Sequence, residues 1–468
     1  MDGFSISVLG LAVGVAFIPS LVAALERNEA AFRNLTGKAL PLVAGGGAAL
    51  AVAFYVLAPR LVAWFGPGFP PPTAALAASL VRDLAPLAFF GLLTAYFTAL
   101  SQVHRRFLVP AAVPALIDLM ALAFLLAGER ALGPHSATLG VVAGSAVATL
   151  AVFWSLPEKT ALLPRLGWDP AFWRVGALFA PSFLGATATL VTQLVERYLA
   201  SALPTGLLAA LSFATKVALS TQLVLLSAFP IVLFPTFATQ AAAADRPALA
   251  RSLGRGISLI LFLGLPTLVL LEALRLPVLA LVFHRGAFTL NSVTVTARIL
   301  STYALVIPAL GLSTLYLRAL YALQEAGAAI WSILLGTAVN VAADFLLLPH
   351  FRETTFGLGA ALGAAVTAVV AWWRLSRRLP TPLRPAATGW RLAGPLSLLA
   401  LVEFGLPPLL PPFAYTAAAE ASRVLFLAGA GLLVYLGAGH LWGVEEVPAA
   451  INYLKQLFGP KQAKPEQP

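Results

Sequence analysis

Residues 328–347 read AAIWSILLGTAVNVAADFLL, a run in which Asp344 is the one charged residue. About 20 apolar residues are enough for a helix to cross the hydrocarbon core of a bilayer. The run is continuous rather than alternating, which predicts a helix and not a strand. A similar run, GLGAALGAAVTAVVAWWRLS at 357–376, follows after a short polar gap. We therefore expect two consecutive transmembrane helices here.

The rest of the chain repeats this pattern. Of its 468 residues, 60% are hydrophobic and 10% are charged, and a soluble domain of this length could not bury so much apolar surface. The composition predicts an all-α polytopic membrane protein with about thirteen transmembrane helices. The expected spans lie near 4–25, 38–58, 84–103, 108–128, 137–156, 173–203, 206–239, 254–274, 294–323, 328–347, 357–376, 391–411 and 418–440.

Several function classes are excluded by composition. The chain has no cysteine, and its five histidines show no metal-ligand spacing, so thiol and histidine-metal chemistry are not expected. No nucleophile–base set is visible either, and we expect a protein that is not an enzyme. The net charge of +11 fits the cytoplasmic bias of basic residues in membrane proteins better than nucleic-acid binding.

The basic residues predict the orientation in the membrane. They are concentrated in alternate gaps between the spans, and the gap at 374–391 is the richest. Loops rich in Lys and Arg stay on the cytoplasmic side, so the C-terminus is expected inside and residue 1 outside. An outside N-terminus without a signal peptide is unusual. We therefore expect that a helix which would precede the first span is missing from this sequence.

An internal repeat predicts two homologous halves. Leu139, Gly140, Gly144, Val147 and Trp154 recur with constant spacing as Leu358, Gly359, Gly363, Val366 and Trp373. Paired halves are a common architecture of transporters. We expect an N-terminal lobe of five helices (1–160), a C-terminal lobe of six (161–380), two further helices (381–445) and a tail (446–468).

A polar pair inside one span is a candidate cation site. Asn340 and Asp344 are four residues apart and share one face of their helix. An amide oxygen beside a carboxylate suits a small hard cation such as Na⁺, and Glu196 and Thr367 could supply further oxygens. The alternative is structural, with Asn340 bonded to a neighbouring helix and Asp344 paired with an arginine.

Cations inside the spans are candidates for binding an anionic substrate. Arg197 and Lys216 lie on consecutive helices, and Arg318 is a third intramembrane cation. Phosphate is their natural partner if they face an aqueous cavity. The alternative is that they pair with Glu196 or Asp344, or extend to the membrane surface.

Several ordered motifs resemble the MurJ/MviN family of lipid II flippases, within the larger group of multidrug, oligosaccharidyl-lipid and polysaccharide exporters. They are AFIPSL at 16–21, RF at 106–107 with Pro110 and Pro114, VERYLAS at 195–201, LFPT at 233–236, RGAFT at 285–289 and YALQE at 321–325. The resemblance implies two lobes in a V around a cationic cavity. It also implies a groove for the undecaprenyl tail on the last two helices.

The resemblance also implies roles for individual residues. The family's basic residue on its eighth helix falls on Lys216, and its Na⁺ ligands fall on Glu196, Asn340, Asp344 and Thr367, with the Gly363 carbonyl as a fifth. The basic residues of the family's first helix have no counterpart in this sequence. That departure predicts poor activity of the chain by itself.

The leading interpretation is a flippase that moves lipid II across a bacterial cytoplasmic membrane by alternating access, with Na⁺ as a coupling ion and no other cofactor. Membrane lipids and cell-wall synthesis proteins are candidate partners. The alternatives are an exporter of another polyprenyl-linked oligosaccharide or of drugs, and a membrane scaffold that does not transport. A twelve-helix count would have favoured a drug exporter.

Overall fold

The computed structural model describes residues 21–104, 106–156, 188–407 and 417–448, apart from positions 22, 23, 26, 189, 205, 227, 381, 382 and 384, together with 164, 165 and 167. Every long element in these ranges is a helix, and none of these residues forms a strand. Among the described residues, nine helical stretches are long and apolar enough to cross a membrane, which confirms the predicted all-α membrane fold. Nearly all of the predicted span 4–25, the first half of the span 173–203 and the tail after 448 lie outside the described residues.

The chain divides into two compact units, Met1–Ala202 and Leu203–Pro468. The first unit contains α1 (Glu29–Phe65), α2 (Pro71–Leu84), α3 (Pro86–Val103), α4 (Leu108–Leu132) and α5 (His135–Ser155). Residues 190–201 of this unit are also helical. The division falls after Ala202, whereas the sequence repeat places the boundary of the lobes at 160.

The second unit contains the remaining helices. They are α6 (Leu207–Leu226), α7 (Ala228–Ala242), α8 (Arg246–Phe283), α9 (Leu290–Ala304), α10 (Val306–Ala322), α11 (Ala326–Phe351), α12 (Thr355–Ser376), α13 (Pro385–Arg391), α14 (Ala393–Gly405) and α15 (Ala417–Leu441). A short 3₁₀ turn, Arg352–Thr354, connects α11 to α12. The predicted span 294–323 is therefore built from two consecutive helices.

Polar caps and prolines set several helix starts. The Asn28 side chain accepts a hydrogen bond from the backbone N–H of Ala31 at 2.7 Å, and Asp245 accepts one from Ala248 at 2.9 Å. Each cap satisfies a backbone donor that the first helical turn leaves free. Proline opens α2 and α3, where its missing N–H costs nothing. The sequence did not predict α2, because Gly66 to Pro72 resemble a long irregular gap.

The two units contain the same broken helix. In the first unit α2 ends at Leu84 and α3 begins at Pro86, so Ala85 separates them. In the second unit Leu305 separates α9 from α10 in the same way. The separation in sequence between Ala85 and Leu305 is almost the same as that between the repeated glycines Gly140 and Gly359. The structure thus extends the sequence repeat to helices in which the sequences do not match.

The last two helices pack together and against α8. Gly394 near the start of α14 approaches Trp442, just beyond the end of α15, so the two helices are antiparallel. The hydroxyl of Tyr435 on α15 donates a hydrogen bond to the carbonyl of Phe262 on α8 at 2.9 Å, and the two rings lie 5.4 Å apart. These contacts confirm the predicted pair of extra C-terminal helices and join it to the core of the second unit.

Candidate functional site

Helices α11 and α12 meet along a line of small and polar residues. We call this line the polar seam, and it consists of Gly336, Asn340 and Asp344 on α11 and Gly359, Gly363 and Thr367 on α12. Residues four apart stack on one face of a helix, so each set of three forms a continuous stripe. The seam contains four of the five residues that the sequence predicted for a cation site.

Glycine allows the two helices to approach closely at the seam. A β-carbon on Gly363 would lie 2.7 Å from the β-carbon of Asn340 and 2.7 Å from the carbonyl oxygen of Gly336. These distances are shorter than any van der Waals contact, so no larger residue fits without moving a helix. The close approach removes water from the polar side chains between the helices.

The side-chain oxygens of Asn340 and Asp344 converge on Gly359. Asp344 is fully buried and Asn340 is 8% exposed. A β-carbon on Gly359 would lie 3.0 Å from Oδ1 of Asn340 and closer still to Oδ1 of Asp344. Oδ1 of Asn340 has no hydrogen-bond partner among the described residues. A buried polar atom in that state costs about 1–3 kcal/mol of folding free energy, so the site is adapted to something other than packing.

The other two predicted ligands lie one helical turn further along the seam. The hydroxyl of Thr367 donates a hydrogen bond to the carbonyl of Gly363 at 2.9 Å. Both oxygens face Gly336, where a β-carbon would collide with them. These two oxygens are therefore bonded to each other, and only a change in the Thr367 rotamer would free both for a cation.

The N-terminal unit contains the same seam without its polar residues. A β-carbon on Gly140 of α5 would lie 2.8 Å from Cα of Ala121, and one on Gly144 would lie 2.8 Å from Cα of Ile117. Residues at the repeat positions of Gly336, Asn340, Asp344 and Thr367 are Ile117, Ala121, Leu125 and Ala148. Close packing of these helices therefore does not require an amide, a carboxylate or a hydroxyl.

Glu196, the fifth predicted ligand, belongs to the N-terminal unit. It lies in the helical residues 190–201, and its side chain is half-buried and engaged with a neighbour. In the part of the chain that the structure describes, no group of three or more His, Asp or Glu side chains could hold a metal ion. The seam instead offers a mixture of amide, carboxylate, hydroxyl and carbonyl oxygens, which is the donor set of a hard cation.

Lys216 lies in the middle of α6 and is exposed. Ser212 and Ser220, one turn before it and one turn after it, are exposed on the same face. A stripe of two hydroxyls and an ammonium in an apolar span is unsuited to lipid, because the membrane interior cannot solvate it. It suits a water-filled surface that binds an anion.

The other two predicted cations lie in different surroundings. Arg197 is exposed in the helical residues 190–201 of the N-terminal unit. Arg318 is half-buried near the end of α10, and its guanidinium lies 5.6 Å from the centre of the Phe234 ring on α7. The cation–π contact gives Arg318 a packing role that the sequence did not reveal.

The sequence did not single out Gly336. The signal was present, because Gly336 precedes Asn340 by four residues and extends the stripe of Asn340 and Asp344. Its role becomes clear only when Thr367 and the Gly363 carbonyl are seen against it.

The whole chain also matches known proteins. Residues 6–435 match the family model of the lipid II flippase MurJ. The chain belongs to the MurJ family of lipid II flippases. This confirms the resemblance found in the motifs, and it makes the chain a member of a transporter family rather than of a family of enzymes.

Individual MurJ relatives are distant in sequence. A probable lipid II flippase MurJ of Bdellovibrio bacteriovorus is 25% identical over 378 residues, which cover 78% of this chain and 71% of that protein. One from Thermotoga maritima is 27% identical over 324 residues, covering 67% and 63%.

Solved structures show the same fold. A lipid II flippase MurJ in an inward closed conformation superposes with a TM-score of 0.78 at 18% identity, covering 95% of this chain and 90% of that one. An inward-facing multidrug resistance MATE family transporter gives a TM-score of 0.68 at 13% identity, covering 79% and 87%. The MurJ fold is thus shared with MATE transporters, and fold alone does not identify the substrate.

Proposed function

We propose that this chain moves lipid II across the bacterial cytoplasmic membrane by alternating access, and that Na⁺ bound in the polar seam is its coupling ion. The observation that carries the proposal is the buried pair Asn340 and Asp344, whose oxygens converge on Gly359. We infer the substrate class from the family, and we propose the polar seam as the binding site of the ion.

The N-terminal half of the internal repeat provides a comparison for the proposed ion site. The N-terminal seam packs the same two helices with Ile117, Ala121 and Leu125 in place of the polar residues. A carboxylate and an amide in the membrane interior cost several kcal/mol unless they are compensated. Since packing does not need them, ligand binding is the better explanation of Asn340 and Asp344.

The seam residues fit Na⁺ in their chemistry. Asp344 would supply the negative charge, and the free Oδ1 of Asn340 a neutral oxygen. Thr367 and the Gly363 carbonyl would complete the set from α12. Glu196 belongs to the other unit and stays a prediction from the sequence. When bound, the cation would neutralise buried charge and so favour the conformation in which the seam is closed.

Lys216 is the residue we assign to the pyrophosphate of lipid II. An ammonium attracts a phosphate dianion at any orientation but lacks the two-pronged geometry of arginine. The exposed hydroxyls of Ser212 and Ser220 flank it on the same face. Ser212 donates its proton to the carbonyl of Leu208 at 2.9 Å and would have to rotate to reach a phosphate oxygen, whereas the Ser220 hydroxyl is the nearer candidate donor. We assign Arg318 to the same substrate, with its guanidinium released from Phe234 when it acts. Arg197 belongs to the other unit and stays a prediction from the sequence.

We place the protein in the cytoplasmic membrane with its C-terminus inside, and the undecaprenyl tail on the outer faces of α14 and α15. Leu401 and Leu425 are 69% and 73% exposed on these two helices, so their apolar faces are open to lipid. Enzymes of cell-wall synthesis are the partners we expect beside it, because they make and consume its substrate.

The test is a flipping assay in proteoliposomes with labelled lipid II. In a protein with measurable flipping of lipid II, we expect Lys216→Ala to abolish that activity and Lys216→Arg to retain it. Arg251→Ala is the matched control, since Arg251 is an exposed cation on α8 outside the stripe. Undiminished flipping by Lys216→Ala would contradict the assignment. Transport of a different polyprenyl-linked oligosaccharide but not of lipid II by the wild-type protein would contradict lipid II as the substrate. Transport of neither would support the interpretation of the protein as a scaffold.

A further inference from the structure

A second buried carboxyl group lies far from the polar seam. Glu403 is on α14, near the middle of the predicted span 391–411, and its side chain is 1% exposed. Both of its carboxylate oxygens are buried without a hydrogen-bond partner among the described residues. Oε1 faces Gly431 on α15, in the space that a β-carbon would fill, and Leu399 borders the same space.

The helices around Glu403 bring no counter-charge to it. Helices α15, α8 and α13 pack against α14. Arg423 on α15 is two turns from Gly431, about 12 Å along the helix axis. Arg275 on α8 is paired with Glu272 on its own helix. Tyr435 on α15 donates its hydroxyl proton to the Phe262 carbonyl. The other charged or titratable residues of these three helices are Arg246, Arg251, Arg255, Arg391, Glu420 and His440, and no ion pair joins Glu403 to any of them whose side chain is described.

A group in this position must be neutral or must bind a cation. An ionised carboxylate in the membrane interior is costly without a partner. A metal cation needs several oxygen ligands, and neither carboxylate oxygen of Glu403 has a polar partner within hydrogen-bond distance among the described residues. A proton needs a single oxygen. It is therefore the one cation that these surroundings can hold.

We propose that Glu403 is a proton-binding site of the C-terminal helix pair, occupied at neutral pH while α14 and α15 are packed together. Loss of the proton to water leaves a carboxylate against Gly431 and Leu399, so the two helices must separate for the proton to leave. Proton occupancy and packing of the pair are coupled in this way. The proposal does not depend on the substrate or on Na⁺ in the seam.

Infrared spectroscopy of the purified protein in lipid tests it. Wild-type protein at neutral pH should show a carbonyl band of a protonated carboxylic acid that Glu403→Gln removes and Glu445→Gln, at an exposed position, retains. If Glu403→Gln does not fold, wild-type protein containing ¹³C-labelled glutamate replaces it, and the band should shift. The absence of any glutamic-acid band, or a band unchanged in Glu403→Gln, overturns the proposal.

Unfolding by denaturant gives a second readout with a definite sign. Glu403 binds a proton in the folded protein and loses it when unfolding exposes it to water. The folding equilibrium constant of the wild-type protein relative to Glu403→Gln should therefore fall by up to about tenfold per unit of rising pH, from mildly acidic pH until the folded protein itself loses the proton. A ratio independent of pH in that range, with Glu403→Gln the less stable protein, would show that Glu403 is ionised and paired.

Discussion

The carboxylate of Asp344 occupies the space that a β-carbon would fill on Gly359, so a close contact between α11 and α12 coincides with a fully buried acid. In the repeat, Gly140 approaches Ala121 in the same manner, with no acid at the contact. The two glycines therefore have the same packing role in different chemical surroundings. Substitutions at the two glycines can therefore distinguish an effect on stability from an effect on ion binding.

We predict that Gly359→Ala and Gly140→Ala each lower the free energy of unfolding by about 1–3 kcal/mol, because an added methyl group forces close-packed helices apart. Only Gly359→Ala should also remove stabilisation by Na⁺, since its methyl displaces the Asp344 oxygen. Both effects are measured from unfolding midpoints in NaCl and in KCl. A Gly359→Ala protein with the full Na⁺ response would show that Na⁺ binding does not depend on the glycine contact.

Tyr435 should contribute to the docking of the C-terminal helices. Its hydroxyl bonds to the Phe262 carbonyl at 2.9 Å inside the core of the second unit. Tyr435→Phe keeps the ring contact and removes that bond, which should cost about 0.6–1 kcal/mol of unfolding free energy. Tyr55→Phe is the matched control, because Tyr55 is 57% exposed on α1. Equal stability of the two variants would show that the bond does not stabilise the pair.

The orientation in the membrane can be measured with single cysteines, since the natural sequence has none. Ala387, exposed in the basic region before α14, should be cytoplasmic, and Ala131, exposed at the end of α4, should be outside. An impermeant thiol reagent added to intact cells should label Ala131→Cys and not Ala387→Cys. The reverse pattern would invert the topology.

The sequence predicted the parts of the fold that depend on local composition. The spans at 328–347 and 357–376 became α11 and α12 because twenty apolar residues are sufficient to define a membrane helix. The break at Leu305 was not predicted, since an apolar run continues on both sides of it. Helix α2 was missed because prolines that open a helix also occur in irregular gaps.

The candidate site was predictable only within a single helix. Asn340 and Asp344 are four residues apart, and this spacing alone places them on one face. Contacts between helices carry no local signal, so the position of Gly336 against Thr367 and that of Arg318 over Phe234 could not be predicted. The burial of Glu403 belongs to the same class, because it depends on a glycine that lies on the next helix.

The most direct test of Na⁺ binding in the seam is the unfolding midpoint of the purified protein in NaCl against KCl at equal ionic strength. An ion at 100 times its Kd stabilises the protein that binds it by about 2.7 kcal/mol. Asp118→Asn is the matched control, because Asp118 is an exposed intramembrane acid on α4 outside the seam. Our account predicts a higher midpoint in Na⁺ for the wild-type and Asp118→Asn proteins, and no such difference for Asp344→Asn. A full Na⁺ response in Asp344→Asn would contradict it.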